Sequence, residues 1–199
     1  ARALYVGGGT PTAIPREALE EIIFAAREAF PGAVEQTVEA GRPDTIDRPM
    51  LEMLLRTGTT RISVNPQTFN DETLRRIGRA HTAQETVDAY RLAREVGFDD
   101  VNMDLIAALP GETLADFRRT LETTVALGPE SVTVHALAIK RSSRLHEQMH
   151  VQGGGHGLTP AGEAEKMTAL ARETLAAGGW RPYYLYRQKY MAGNLENVG

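Results

Sequence analysis

The chain has 199 residues, of which 42% are hydrophobic and 24% are charged, and its formal net charge is −4. This composition is that of an ordinary globular protein, so it excludes a disordered chain and argues against a nucleic-acid binder, which would carry a basic surface. No cysteine is present, which excludes disulfides, thiolate zinc sites and iron–sulfur ligation within these residues.

The first half of the sequence alternates between short apolar runs, typical of strands, and amphipathic runs, typical of helices. In chain order the pattern predicts a strand in "ALYVGG", a helix over 15–29 and a strand over 33–40. A helix over 47–57, closed by Gly58, and a strand in "RISVN" follow. Two helices come next, over 70–77 and 82–96, and Gly97 ends the second. The same alternation continues beyond residue 100.

The second half predicts a strand in "DVNMDLIAAL", a helix in "TLADFRRTLETTVALG" with Thr113 as its N-cap, a strand in "SVTVHALAI", a helix over 160–178 and a last strand in "WRPYYLY". The glycine-rich residues 152–157 are expected to form a loop. Predicted strands therefore begin near residues 3, 34, 60, 100, 131 and 180, and most are followed by a helix.

Strands that alternate with helices are expected to pair in parallel through right-handed crossovers. Six such units predict the α/β class and a partial or full barrel. No linker interrupts the pattern, so residues 1–199 are expected to form one domain. The chain lacks an initiator Met and starts inside an apolar run, so we expect it to be a piece of a longer protein. No run has the length of a membrane span and no signal peptide is recognised, so we expect a cytoplasmic location.

In such barrels the chemistry takes place at the carboxyl ends of the strands. The residues that follow the apolar runs here are small or polar: Gly7, Gly8, Gly9, Thr10, Glu39, Asn65, Gln67, Asp104, Ala138 and Lys140. A simpler interpretation of any one of these positions is that strand ends commonly carry polar turn residues.

The stretch "GGGTP" allows backbone N–H groups to approach a phosphate, a carboxylate or the polar end of an amino acid. It lacks the spacing of a Rossmann motif and the lysine of a P-loop, and by itself it could be only a tight turn. Glu39 could bind an amine or ribose hydroxyls, whereas Asp104 could equally be a turn carboxylate. Arg79 could contact a carboxylate, or be a solvated arginine before the helix that Thr82 caps.

The stretch "HEQMHVQGGGH" fits the zinc-protease signature H-E-x-x-H-x-x-G-x-x-H, in which three histidines bind the metal and the glutamate is the base. The ligands would be His146, His150 and His156, with Glu147 as the base. The preceding "KRSSRL" offers little apolar surface to bury such a helix, and the strand–helix rhythm is wrong for that fold. A zinc metalloprotease is therefore a remote alternative.

Three longer stretches, "YVGGGTPT", "RISVNPQTFNDETLRRIGRAHTAQETVDAYRLAREVGFDDVNMDLIAALPGET" and "YLYRQKYMAGNLENVG", together resemble the radical SAM family of oxygen-independent coproporphyrinogen III oxidases. The last stretch resembles in particular the HemZ-type coproporphyrinogen dehydrogenases. The resemblance covers nearly the whole chain and is weakest over 141–160. It implies a partial (β/α)6 barrel, from which this chain would lack the first strand and the cysteine loop.

The resemblance also implies two cofactors, S-adenosylmethionine and a [4Fe–4S] cluster held by three cysteines. In this family the 5′-deoxyadenosyl radical takes a hydrogen from a propionate of the tetrapyrrole coproporphyrinogen III. Loss of CO₂ and one electron then leaves a vinyl group, and two such events give protoporphyrinogen IX in haem biosynthesis. The sequence does not specify the electron donor or acceptor.

Matched by position, Gly7, Gly8, Gly9 and Thr10 correspond to the motif that receives the methionine amino group of S-adenosylmethionine. The resemblance assigns contacts to the methionine carboxylate and the ribose to Glu39, Gln67, Arg79 and Asp104. Ile106 and Ala138 match positions near the adenine or a second S-adenosylmethionine.

The family's three cysteines lie before the glycine-rich strand and are absent here, so this segment alone is expected to be inactive. Truncation explains that absence, and a degenerate paralogue is the other explanation. A closer alternative in function is a relative that binds haem and delivers it, for which His135, His146, His150 and His156 are possible axial ligands. A barrel enzyme that binds a phosphate through "GGGTP" is a third possibility.

Overall fold

The structure is a computed structural model that describes residues 1–137, 161–183, 185–186 and 197–198. Its helices are α1 (Arg16–Ala29), α2 (Arg48–Arg56), α3 (Asp71–Arg76), α4 (Ala83–Val96), α5 (Leu114–Leu127) and α6 (Ala161–Ala177). Its strands are β1 (Ala3–Val6), β2 (Glu35–Gly41), β3 (Arg61–Val64), β4 (Val101–Ala107), β5 (Ser131–Ala136), β6 (Leu185–Tyr186) and β7 (Asn197–Val198). Two short 3-10 helices, Pro11–Ala13 and Pro43–Thr45, follow β1 and β2.

The strands join in the order β1-β2-β3-β4-β5-β7-β6. β1 runs parallel to β2, with Tyr5 opposite Thr37, and β2 runs parallel to β3. β3 is in turn parallel to β4, with Ile62 opposite Val101. Because helices connect these parallel strands, the structure confirms the predicted α/β class.

The last part of the sheet differs from the prediction. Trp180 to Tyr183, the beginning of the predicted strand "WRPYYLY", are not in a strand, and β6 contains only Leu185–Tyr186. β6 pairs antiparallel with β7, and β7 pairs antiparallel with β5. β6 therefore runs in the same direction as β5, as expected, but β7 lies between them and the two strands do not pair directly, because apolar periodicity indicates a strand but not its neighbours. β7 was not predicted, since two residues are too few to show a period.

The chain divides into two compact units, each built from separate stretches of sequence. Unit 1 comprises Ala1–Pro66, His81–Met103 and Pro129–Ser131, and unit 2 comprises Gln67–Ala80, Asp104–Gly128 and Val132–Gly199. β4 and β5 contribute residues to both units.

Each unit buries its own apolar residues. In unit 1 the fully buried side chains include Val38 of β2, Ile62 of β3 and Leu51 of α2. In unit 2 a single cluster packs β4 and β5 against α5 and α6; it includes Leu105, Ala107, Phe117, Leu121, Val134, Ala164 and Met167. Burial of one face of each helix against strands is the main source of stability in such layers.

The helix ends are fixed by the residues that the sequence indicates. Thr82 and Thr113 both form capping boxes, in which the threonine hydroxyl accepts from the third helical N–H and the acidic side chain there accepts from the threonine N–H. Gly97 ends α4 in the left-handed conformation. These observations confirm the predicted caps. Among the helices of the described residues, none is long and apolar enough to cross a membrane.

Candidate functional site

The glycine loop, Gly7 to Thr10, leaves the carboxyl end of β1 and leads into the first 3-10 helix. Gly8 and Gly9 have φ values of +92° and +71°, which L-residues with a Cβ rarely adopt. Gly7 is required for a different reason: a Cβ there would lie 2.4 Å from a ring carbon of Tyr5 and 3.0 Å from Glu39 Oε2. A Cβ at Gly8 or Gly9 would meet nothing within 4 Å, so the backbone there is open to a ligand.

Glu39 lies beside this loop because of the strand register. Tyr5 is opposite Thr37, and Glu39 is two residues further along β2, so both side chains are on the same face of the sheet. The Tyr5 hydroxyl donates a hydrogen bond to Glu39 Oε1, and the Gly8 N–H donates to Oε2 at 3.1 Å. The structure therefore brings the predicted glycine loop and the predicted carboxylate together. Tyr5 was not among the predicted site residues.

Two threonines attach the end of the glycine loop to the exit of β2. Thr12 is buried, and its hydroxyl lies 2.9 Å from the carbonyl oxygen of Ala40 and 2.6 Å from the hydroxyl of Thr45. The Thr45 hydroxyl in turn donates to the Arg42 carbonyl at 2.8 Å. These bonds fix the loop relative to the residue that follows Glu39. Sequence reasoning missed them because isolated threonines carry no pattern.

Asn65, a further predicted strand-end residue, follows β3 in unit 1. Its N–H donates to the Gly41 carbonyl at 3.2 Å. Its side-chain oxygen Oδ1 is buried and has no hydrogen-bond partner among the described residues. Buried acceptors are normally satisfied, so this oxygen is available to a donor from a ligand or water.

A second group of predicted residues lies in unit 2. The N–H of Gln67 donates to the Asp104 carbonyl at 3.0 Å, and the Gln67 carbonyl accepts from the Ile106 N–H at 2.9 Å. Gln67 extends the pairing with β4 although its φ is +65°. A non-glycine residue in this region costs about 1–3 kcal/mol and is held there by its surroundings. Such strain is frequent at ligand-binding positions.

Asp104 and Ile106 are on one face of β4, and both are partly exposed, whereas their neighbours on the other face are buried. His135 of β5 lies beside Asp104, with His135 Nε2 3.8 Å from Asp104 Oδ2. Sequence reasoning considered His135 only as a haem ligand, and the structure adds its proximity to Asp104. The Asp104 carboxylate can accept hydrogen bonds from the hydroxyl groups of a ligand, and His135 lies beside it.

The remaining predicted residues have different placements. Arg79 follows α3, half-buried, and its N–H donates to the Leu74 carbonyl at 2.9 Å. Ala138, Lys140 and the zinc-like stretch His146 to His156 lie outside the described residues. Elsewhere in the chain, the part described contains no group of three or more metal-ligating side chains.

Unit 2 also contains a buried carboxyl that the sequence analysis missed. Glu112 immediately precedes the N-cap of α5, and its Oε1 accepts from the Thr68 hydroxyl at 2.5 Å. Its Oε2 is buried and has no hydrogen-bond partner within the described part of the chain. Burial raises the pKa of Glu112 above its ordinary value, and the hydrogen bond from Thr68 opposes this shift. Thr68 follows Gln67 directly, so Glu112 contacts the segment that carries the strained residue.

Comparison with known families gives one match that covers more than half of the chain. Residues 1–124 match the family described as the radical SAM superfamily. That range contains the glycine loop, Glu39, Gln67, Arg79 and Asp104, and it ends within α5.

Similar proteins have haem-related names. The chain is 44% identical over 199 residues to the oxygen-independent coproporphyrinogen-III oxidase-like protein HemZ of Bacillus subtilis (strain 168), covering 98% of this chain and 39% of that protein. It is 29% identical over 185 residues to the haem chaperone HemW of the same organism, covering 92% of this chain and 48% of that protein. The chain thus spans less than half the length of both relatives.

A solved structure, coproporphyrinogen III oxidase (HemN) from Escherichia coli, is similar to this fold with a TM-score of 0.79 and 26% identity. The similarity covers 91% of this chain and 41% of that one. That protein is described as a radical SAM enzyme. The likeness confirms the predicted fold class, an α/β partial barrel of the radical SAM type.

Proposed function

Because this chain belongs to the radical SAM superfamily, we propose that it is the S-adenosylmethionine-binding part of an oxidoreductase that decarboxylates coproporphyrinogen III propionates to vinyl groups. The observation that carries the proposal is the pairing of the open glycine loop with the Glu39 carboxylate. The similarity to the HemZ-like protein supports the choice of a tetrapyrrole substrate.

The residues of unit 1 fit the methionine end of S-adenosylmethionine. An ammonium group has three N–H donors and needs acceptors, and a carboxylate offers about four acceptor positions. Two of these positions on Glu39 are used by Tyr5 and Gly8, which leaves others for an incoming amine. We assign the amine to Gly7, Gly8, Gly9 and Thr10 with Glu39 beside it. This replaces the contact to the methionine carboxylate or the ribose that the resemblance implies for Glu39, because a carboxylate attracts an ammonium group and repels another carboxylate.

For the residues of unit 2, taken by themselves, we propose the contacts to the ribose, the carboxylate and the adenine of S-adenosylmethionine that the resemblance implies. Asp104 is partly exposed and can accept from ribose hydroxyls, and Gln67 and Arg79 can donate to a carboxylate. Ile106 offers an apolar, partly exposed side chain on the same strand face as Asp104, and suits the adenine. Ala138 is included near the adenine or a second S-adenosylmethionine only because the family resemblance implies it.

The second cofactor of the family does not fit the residues present. A [4Fe–4S] cluster requires cysteine thiolates, and the chain contains no cysteine. The proposal for this chain is therefore restricted to binding and orienting S-adenosylmethionine and substrate. When bound and reduced by one electron from outside this chain, S-adenosylmethionine would supply a 5′-deoxyadenosyl radical able to remove a substrate hydrogen.

Haem binding and delivery is the second candidate function, and the similarity to HemW is the observation that favours it. The two functions differ in what is done to the tetrapyrrole. An oxidase converts coproporphyrinogen III, whereas a chaperone binds haem and leaves it unchanged. His135 is the described histidine that could serve as an axial ligand in that case.

One pair of measurements separates the two functions. The full-length protein, of which this chain is proposed to be a part, is incubated anaerobically with S-adenosylmethionine, a reductant, an electron acceptor and coproporphyrinogen III, and protoporphyrin is measured by fluorescence after oxidation. In parallel, haem is titrated against the same preparation. Protoporphyrin that forms with the wild type and is lost in Asp104→Ala supports the oxidase. Stoichiometric haem binding without turnover would refute it.

A further inference from the structure

Tyr5 has an unusual environment for a large aromatic residue, because its side chain is 64% exposed on a strand that pairs with β2. The exposed position gives the ring little packing energy. Its hydroxyl nevertheless donates to Glu39 Oε1, and its ring lies against Gly7. The tyrosine is therefore better explained by its contact with the carboxylate than by the hydrophobic core.

The Glu39 carboxylate is oriented from two directions. The Gly8 N–H holds Oε2 at 3.1 Å, and the Tyr5 hydroxyl holds Oε1. With only one of these donors the carboxylate could rotate about its last side-chain bonds, and this freedom would have to be lost on binding an amine. With both donors, its free acceptor positions already point in fixed directions.

We propose that Tyr5 is a positioning residue, which orients the Glu39 carboxylate for the amine of S-adenosylmethionine at the glycine loop. The inference rests on the proposed function and adds a residue to it. Tyr5 acts through Glu39 and has no contact with the reacting atoms. Gly7 is part of the same arrangement, because a Cβ there would displace the Tyr5 ring from Glu39.

The test is a set of binding measurements on the full-length protein of which this chain is proposed to be a part. Equilibrium dialysis with radiolabelled S-adenosylmethionine gives the Kd of the wild type, Tyr5→Phe, Glu39→Ala and the double variant. Tyr5→Phe keeps the ring and removes only the hydroxyl, so we expect a Kd about three- to tenfold weaker, the effect of one hydrogen bond. Tyr183→Phe, at another tyrosine that is 62% exposed, is the matched control and should bind as the wild type does.

The double variant distinguishes positioning from direct contact. If Tyr5 acts through Glu39, then Tyr5→Phe has no further effect once Glu39 is alanine, and the two changes are strongly non-additive. The melting temperature of Tyr5→Phe should fall by at most a few degrees, since the ring is exposed and only one hydrogen bond is lost, and this excludes a general loss of structure.

Three results would overturn the inference. A Tyr5→Phe variant with wild-type affinity shows that the hydroxyl is not needed. Fully additive losses show that Tyr5 contacts the ligand directly. A wild type that binds no S-adenosylmethionine overturns the proposed function and this inference with it, and is distinguished from the first result because the wild type itself fails.

Discussion

Glu112→Gln tests whether the buried carboxyl of unit 2 destabilises the fold when it is charged. A chain of hydrogen bonds ends at this residue: the Phe69 N–H donates to the Thr120 hydroxyl at 3.1 Å, and that hydroxyl lies 3.1 Å from the hydroxyl of Thr68. The Asn70 N–H also donates to Thr68 at 3.1 Å, so the Thr68 proton is left for Glu112. The side-chain oxygen of glutamine can also accept this bond, less strongly than an ionised carboxylate does.

The expected effect depends on pH, and its sign follows from the direction of the shift. Burial raises the folded-state pKa of Glu112, so the native protein binds this proton more tightly than the unfolded chain does. The stabilisation that comes from the raised pKa of Glu112 is fully present below the pKa of this group in the unfolded chain. It is lost as the pH rises through the pKa of Glu112 in the folded protein. Glutamine stays neutral at every pH, so the free energy of unfolding of Glu112→Gln increases relative to that of the wild type as the pH rises.

The magnitude can be bounded from the contacts. Oε2 is buried without a partner in the described residues, and an unsatisfied buried polar atom costs about 1–3 kcal/mol, more when it is charged. The glutamine NH₂ would occupy the same place and retain the neutral part of that cost. Only the charged part is relieved, so we expect a gain of about 1–2 kcal/mol at high pH and none near pH 4. This corresponds to roughly 2–8 °C in melting temperature for a chain of this size.

Urea unfolding at several values between about pH 4 and pH 9 gives the free energy of unfolding of both proteins. Glu122→Gln, at an exposed glutamate of α5, is the matched control and should show no such divergence. If Glu112→Gln is less stable than the wild type at every pH, or if the difference does not change with pH, then the charge of Glu112 does not destabilise the fold and the reasoning is wrong.

Two further variants test the loop and a helix cap. Gly7→Ala would place its Cβ 2.4 Å from a carbon of the exposed Tyr5 ring, so the ring must move away from Glu39. Binding of S-adenosylmethionine should then weaken at least as much as in Tyr5→Phe. An unchanged Kd in equilibrium dialysis would contradict the proposed arrangement of Gly7, Tyr5 and Glu39. Gly162→Ala, a helical glycine with nothing within 4 Å, should bind normally and melt slightly higher. Thr82→Ala removes a capping box and should lower the free energy of unfolding by about 1 kcal/mol, whereas Thr82→Ser should recover most of it in the same urea titration.

Much of the fold could be predicted because the signals are local. Thr82, Thr113 and Gly97 determine helix ends through contacts within a few residues, and the apolar periods of the helices span several turns. Strand pairing is not local, which is why the position of β7 between β5 and β6 escaped prediction. Burial of a single polar side chain is not local either: "LPGET" has the form of a turn, and the contact of Glu112 with the distant Thr68 is visible only in the structure.

The candidate site was predictable to the extent that it follows from parallel pairing. Gly7 and Glu39 each come directly after an apolar run, and parallel strands bring their carboxyl ends to the same edge, so the two were expected to meet. Tyr5 lies inside its apolar run and has the ordinary appearance of a strand residue. Its role depends on the register, Tyr5 opposite Thr37, which places Glu39 one pleat further on the same face. A shift of one residue would turn Tyr5 away from Glu39, so the residue that orients the carboxylate becomes visible only once the pairing is known.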